Sequence, residues 1–232
     1  MSFYSTWHDV RALGIDDSAF IKSFIERSDV SLSALNDGNE QDIATVIQLL
    51  VVLPEKEIVR MISCKDEITL LPADVPCFST FFNGAVRLNE LLEFAPEGLT
   101  YAEIGYQLVG AASQLAQIKY GENHAKLAAM MSLVTISDHR PANIRATALG
   151  HYLVALSYEE KAVVLKKLIL RDPCIQAIVQ AAVAGEANYR RVVETLSDST
   201  AYRRRTSVRC AVEFALDLPE TNNLLDRIIW DL

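Results

Sequence analysis

The sequence predicts a mainly α protein, on three observations. Capping residues recur along it, in the Thr100/Glu103 and Ser157/Glu160 boxes, at Asp172-Pro173 and at Ser197-Asp198. Apolar residues between these marks repeat at helical spacing. Basic residues, scarce at first, concentrate in the second half, where a DNA-facing surface would need them.

Composition sets the outer limits. With 232 residues, 50% hydrophobic and 22% charged, the chain is an ordinary folded protein of one to three small domains. Its four cysteines, Cys64, Cys77, Cys174 and Cys210, form no C-x-x-C pair, so they read as reduced core residues of a cytoplasmic protein. The segment Met1 to Asp9 has no basic stretch followed by an apolar one, and the longest apolar run, Ile43 to Leu53, is too short for a bilayer. Neither export nor a membrane anchor is expected. The net charge of −8 is uneven: residues 1 to 118 carry seven basic and 17 acidic side chains, residues 119 to 232 carry 15 and 13. A nucleic-acid surface belongs in the second half. The acidic first half suits a protein partner or solubility, and a homodimer stays open.

In chain order, Ser18 to Ser28 reads as a helix with Ala19, Phe20, Phe24 and Ile25 on its apolar stripe, and Asn39 to Leu53 as a second, stopped by Pro54. The next stretch fits either a hairpin of residues 57–62 and 67–71 or a helix from Glu55 to Ser63. Two prolines in Leu71 to Pro76 mark a linker, hence a domain boundary. Asn83 to Phe94 is amphipathic, and the Thr100/Glu103 box fixes the next helix start. Another start falls at Tyr120 to Lys126, with Leu127, Ala128, Met131 and Val134 inward and Asn123, Lys126 and Ala129 outward. Two short helices with a turn between them make a helix-turn-helix. The polar, Pro141-containing stretch Thr135 to Arg145 has the composition of a wing, whose Arg140 and Arg145 are placed to touch a DNA backbone.

Ser157/Glu160 opens a helix through Leu170, and Asp172-Pro173 opens another with proline at the first helical position. From Ser197 or Asp198 a run without Gly or Pro extends to Leu218. On a helical wheel Ala201, Val208, Val212 and Ala215 share one face, Arg204 and Arg205 flank it, and Ser199, Tyr202, Arg203, Thr206 and Arg209 point away. A polar, basic, narrow face of this kind suits a recognition helix in the major groove. Lys119, Asn123 and Lys126 are the counterparts on the other candidate helix. The order of support helix, short helix and recognition helix thus occurs twice. It implies tandem winged helix-turn-helix units at 79–156 and 157–232 after a small acidic α(+β) domain at 1–78.

The pieces Leu99-Thr-Tyr-Ala-Glu-Ile-Gly105, Lys119-Tyr-Gly-Glu-Asn-His-Ala-Lys-Leu-Ala128 and Leu196-Ser-Asp-Ser-Thr-Ala-Tyr-Arg-Arg-Arg205 together resemble the tandem winged-helix modules of bacterial restriction endonucleases and related defence proteins. The resemblance spans residues 85 to 218. It implies recognition of double-stranded DNA, as the non-catalytic part of a restriction or phage-defence system. The alternative is a winged-helix interaction subunit of a chromosome-organising, defence or transcription complex, which the acidic balance also suits.

Catalysis finds little support. His8, His124, His139 and His151 lie on separate elements with no Cys or carboxylate at metal-ligand spacing, so no metal site is expected. His124 falls near the buried side of its helix and His139 at the wing tip. No Gly-rich phosphate loop occurs, no nuclease pattern of the Asp followed by Glu-x-Lys kind stands out, and Asp16-Asp17 and Glu159-Glu160 read as caps. A non-enzyme without cofactor is the expectation.

Overall fold

Caps and prolines set the ends of most elements, and the computed structural model, which describes residues 17–26, 40–77, 80–110 and 113–231, is mainly helical. Helix α1 (Asp17–Glu26) is followed by α2 (Glu40–Val52), which stops ahead of Pro54, and by α3 (Glu55–Ser63). After a 3-10 turn at Pro72–Asp74 come α4 (Phe81–Glu93), β1 (Leu99–Thr100), α5 (Tyr101–Val109), α6 (Gln114–Met130), β2 (Val134–Ile136) and β3 (Asn143–Ala146). Next are α7 (Ala148–Ala155), α8 (Tyr158–Ile169), α9 (Pro173–Ala184), β4 (Ala187–Asn188), α10 (Tyr189–Val192) and α11 (Asp198–Ala215). A 3-10 turn at Asn222–Arg227 leads to β5 (Ile228–Ile229).

Both capping boxes form. The Thr100 N–H donates to Glu103 Oε2 at 2.8 Å and the Ser157 N–H to Glu160 Oε2 at 3.0 Å, and each hydroxyl accepts in return. Asp172 accepts from the N–H groups of Cys174 and Ile175, with Pro173 at the first helical position, where no N–H is needed. Of the two readings of residues 55–71, the helix forms and 67–71 is not a strand. Helix α6 starts more than a turn before the expected Tyr120, because Ser113 caps it by accepting from Ala116 N–H. His8, Asp16, the segment Met1 to Asp9 and the side chains of Ala19 and Phe20 lie outside what is described. The cysteines split: Cys174 is buried, whereas Cys64 and Cys77 are exposed rather than in a core.

The elements divide into two units, one of residues 1–32, 48–79 and 163–232, the other of 33–47 and 80–162. This differs from the three-way division read from sequence, in which 1–78 stands apart from 157–232. The reason is polar as well as apolar. Within the first unit, Lys167 is buried and its Nζ donates to the carbonyls of Leu50 and of Val51 (3.1 Å) in the last turn of α2. Arg171 Nε donates to Phe24 O at 2.8 Å and Gln176 Nε2 to Ile25 O at 3.0 Å, in the last turn of α1. Carbonyls of a last helical turn lack intrahelical donors, so α1 and α2 depend on this later stretch of chain. Around these contacts Ile21, Phe24, Leu50, Ile58, Ile62, Leu165, Leu168, Ile178 and Val212 form the apolar core.

In the second unit α4, α5, α6 and α7 surround a core of Leu88, Leu92, Ile104, Ala125, Ala128, Leu133, Ile144 and Leu149. The sheet has the order β1-β3-β2 and is antiparallel throughout, with Leu99 opposite Ile144 and Thr135 opposite Arg145. Helices α5 and α6 touch backbone to backbone: a Cβ on Gly105 would collide with the Gln117 carbonyl, and one on Gly121 with the Tyr101 carbonyl. Both glycines belong to the sequence pieces singled out above.

Glu55, 2% exposed, accepts from Thr221 Oγ1 at 2.7 Å, and burial pushes its carboxyl up to about 7. Because the folded value exceeds the unfolded one, the contribution of Glu55 to stability is fully present below the ordinary carboxylate range and is lost as pH rises through 7. Glu55→Gln removes that loss. In urea titrations, the stability of Glu55→Gln relative to wild type should therefore improve by about 2 kcal/mol between pH 5 and pH 8; a difference independent of pH would refute the assignment.

Candidate nucleic-acid interface

Helix α11 owes its position to Tyr189. That side chain is fully buried, its hydroxyl donates to Ala201 O at 2.9 Å, and its ring lies 5.7 Å from that of Trp230. Burial pushes the phenol up to about 12, so it remains a donor throughout the physiological range. Asn188 caps α10 by accepting from Arg191 N–H, whereas Ser197 occupies the N-cap position of α11 without a side-chain bond to the helix backbone. The Ser197 hydroxyl bonds the Thr200 hydroxyl at 3.0 Å instead of a backbone N–H, and Asp198 pairs with Arg190 at 2.6 Å.

With Ala201, Val208, Ala211, Val212 and Ala215 buried, α11 turns Ser199, Tyr202, Arg203, Thr206 and Arg209 outward. Arg203 makes no ion pair with a described residue. Arg209 is tied to Glu213 at 2.7 Å. Arg204 and Arg205 are half-buried: Arg204 Nη1 reaches Val75 O at 3.4 Å, Arg205 Nη1 reaches Trp230 O at 3.3 Å, and the Arg205 guanidinium lies over the Tyr202 ring at 5.5 Å. These two arginines therefore spend donors on packing. Beside the outward face lies a cavity of about 450 Å³ lined by Arg190, Asp198, Ser199, Tyr202 and Arg203.

Arg190 and the exposed Arg191 were missed in the sequence. Their adjacency just ahead of the Ser197 cap was the available signal, since residues 187–213 hold six arginines against three acids.

The remaining candidates sit in the other unit. Lys119 and Lys126 both face Glu122, at 3.8 and 2.6 Å, and the hydrogen bond from Lys126, with the charges of both lysines, holds its carboxyl below the ordinary range. Asn123 is half-buried. Arg145 is held by Glu97, through its carbonyl at 3.1 Å and its carboxylate at 3.7 Å. Arg140 is exposed in the 137–142 loop and borders a cleft of about 660 Å³ with Tyr101, Ile118, His139 and Pro141. The structure thus gathers one cluster on α11, while Lys119 and Lys126 share Glu122 on α6 and Arg145 is paired separately with Glu97. Around the α5–α6 connection Tyr106, Val109 and Leu115 are exposed. His124 is buried with Nδ1 3.0 Å from Tyr120 O, and its desolvation favours the neutral ring, as suits a packing residue. His139 and His151 are exposed.

No helix among the described residues is long and apolar enough to cross a membrane. Among protein-family models, curated proteins and solved structures, none matches this chain.

Tyr189→Phe deletes one buried hydrogen bond without opening a cavity, so it should cost about 1 kcal/mol in chemical denaturation. Unchanged stability would mean that the hydroxyl does not anchor α11.

Proposed function

We propose that the chain binds duplex DNA, with α11 as the recognition helix, as the non-catalytic recognition part of a restriction or phage-defence system. The observation that carries the reading is the outward face of α11. It offers an arginine without an ion-pair partner among the described residues, an aromatic ring and hydroxyls in a segment where arginines outnumber acids two to one. Guanidinium and hydroxyl groups are the donors that meet phosphates and base edges.

The order of elements supports tandem winged-helix-like units. Helix α4, strand β1, helices α5 and α6 and the β2–β3 hairpin follow the winged helix-turn-helix order, with 137–142 as the wing. Helix α9, strand β4 and helices α10 and α11 repeat its first half, with asparagine in place of threonine as the cap and β5 pairing parallel to β4 in place of a hairpin. Tyr101 and Tyr189 each follow such a cap.

A second reading, a protein-interaction subunit, draws on the other unit. There Lys119, Lys126 and Arg145 are neutralised by Glu122 and Glu97, while Tyr106, Val109 and Leu115 are each exposed. A winged helix used for docking presents such a surface.

Mobility shifts on pooled random duplexes separate the two. If about five phosphates are neutralised, log K falls against log salt with a slope of about −4.5. Arg203→Ala should cost about 1 to 3 kcal/mol and relax preference at one base position. Lys126→Ala should cost less, because Lys126 must first leave Glu122. Absence of duplex binding at low salt, or full affinity in Arg203→Ala, would overturn the DNA reading in favour of docking.

A further inference from the structure

The cavity beside α11 has a composition that groove contacts alone do not explain. Tyr202 is 66% exposed, and the Arg205 guanidinium covers one face of its ring at 5.5 Å while being held by the Trp230 carbonyl at 3.3 Å. Arg205 does not line the cavity, whereas Tyr202 does, together with Arg190, Asp198, Ser199 and Arg203. One face of the ring is therefore braced by a fixed cation, and the ring borders open space of about 450 Å³, within the range of small-ligand sites. Around that space stand two guanidinium groups, a hydroxyl and a carboxylate. Arg190 is held at its edge by the 2.6 Å ion pair with Asp198.

We propose that this cavity takes an unstacked nucleotide of DNA, with its base against the Tyr202 ring and its phosphate on Arg203 and Arg190. The inference rests on the DNA-binding reading of α11 and goes beyond it. Inside an intact duplex both faces of each base are covered by neighbours, so away from the ends a tyrosine ring meets only edges and backbone. A base free of the stack exposes its π-face, and aromatic side chains hold such bases with little dependence on sequence. Ser199 and Asp198 add polar partners: a carboxylate accepts from the exocyclic amino groups that adenine, cytosine and guanine carry and thymine lacks. Two sources present this chemistry, a base displaced from a duplex and a single-stranded end.

Fluorescence anisotropy on the full chain distinguishes them. The probes are a labelled duplex of about 20 base pairs, the same duplex with one unpaired nucleotide at its centre, and the same duplex with a short 3′ overhang. Wild type should bind at least one of the modified duplexes roughly five- to a hundredfold more tightly than the intact one. The bulge arm reports a displaced base and the overhang arm a free end. Tyr202→Phe should keep that ratio and Tyr202→Leu should bring it to about one. Equal affinity of wild type for all three DNAs would overturn the inference while leaving the recognition-helix reading intact. So would a ratio that survives in Tyr202→Leu. Binding to none of the three would overturn both.

Discussion

Three polar side chains on residues 167 to 176 hold the first unit together. Lys167, Arg171 and Gln176 are buried and give their hydrogen bonds to the last-turn carbonyls of α1 and α2. Each side needs the other: a helix end without donors leaves carbonyls unsatisfied, and a buried cation without acceptors is far more costly than an exposed one. Burial draws Lys167 down to about 8, the sign of a cation kept from water at a cost that its carbonyl partners offset. The same stretch leads into α9, whose apolar face meets the core. From there the chain reaches β4, Tyr189 and α11. The position of the outward arginine face is thus the far end of a chain of contacts that begins in the acidic N-terminal region.

Net charge is a poor guide to such a molecule, because what a partner meets is the local field. On α6 the two lysines share one carboxylate, and Arg145 is committed to Glu97, so those cations reach a phosphate only after leaving an ion pair. On α11 the division of labour is different. Arg204 and Arg205 support the helix through backbone carbonyls, and Arg203 stands outward. Exposed ion pairs are individually weak, so the pairing at Glu122 holds the two lysines only loosely. Asp198 holds Arg190 in place, yet it also sets a negative charge at the mouth of the adjacent cavity.

Local chemistry was the legible part of the sequence. Thr100/Glu103, Ser157/Glu160 and Asp172-Pro173 fixed helix starts because a cap depends on neighbours within three residues. The two faces of α11 were legible for the same reason, since 3.6-residue periodicity sorts Ala201, Val208 and Val212 from Ser199, Arg203 and Arg209. Long-range pairings were not. Nothing near Lys167 or Arg171 in the chain announces acceptors more than 100 residues earlier. The linker at Leu71 to Pro76 suggested a boundary that the fold crosses again at 163. Arg190 was overlooked because its place beside Tyr202 depends on the turn between α10 and α11. The coupling of Lys119 and Lys126 through Glu122 is legible in their i, i+3 and i, i+4 spacing.

The central claim is that α11 is the surface that meets DNA. Backbone amide NMR of the 25.8 kDa chain, recorded with and without one short duplex at low salt, tests it residue by residue. The account predicts that the largest shift changes fall between Ser199 and Arg209 and at Arg190 and Arg191. Changes confined to the region of Tyr106, Val109 and Leu115, or no changes at all, would contradict it.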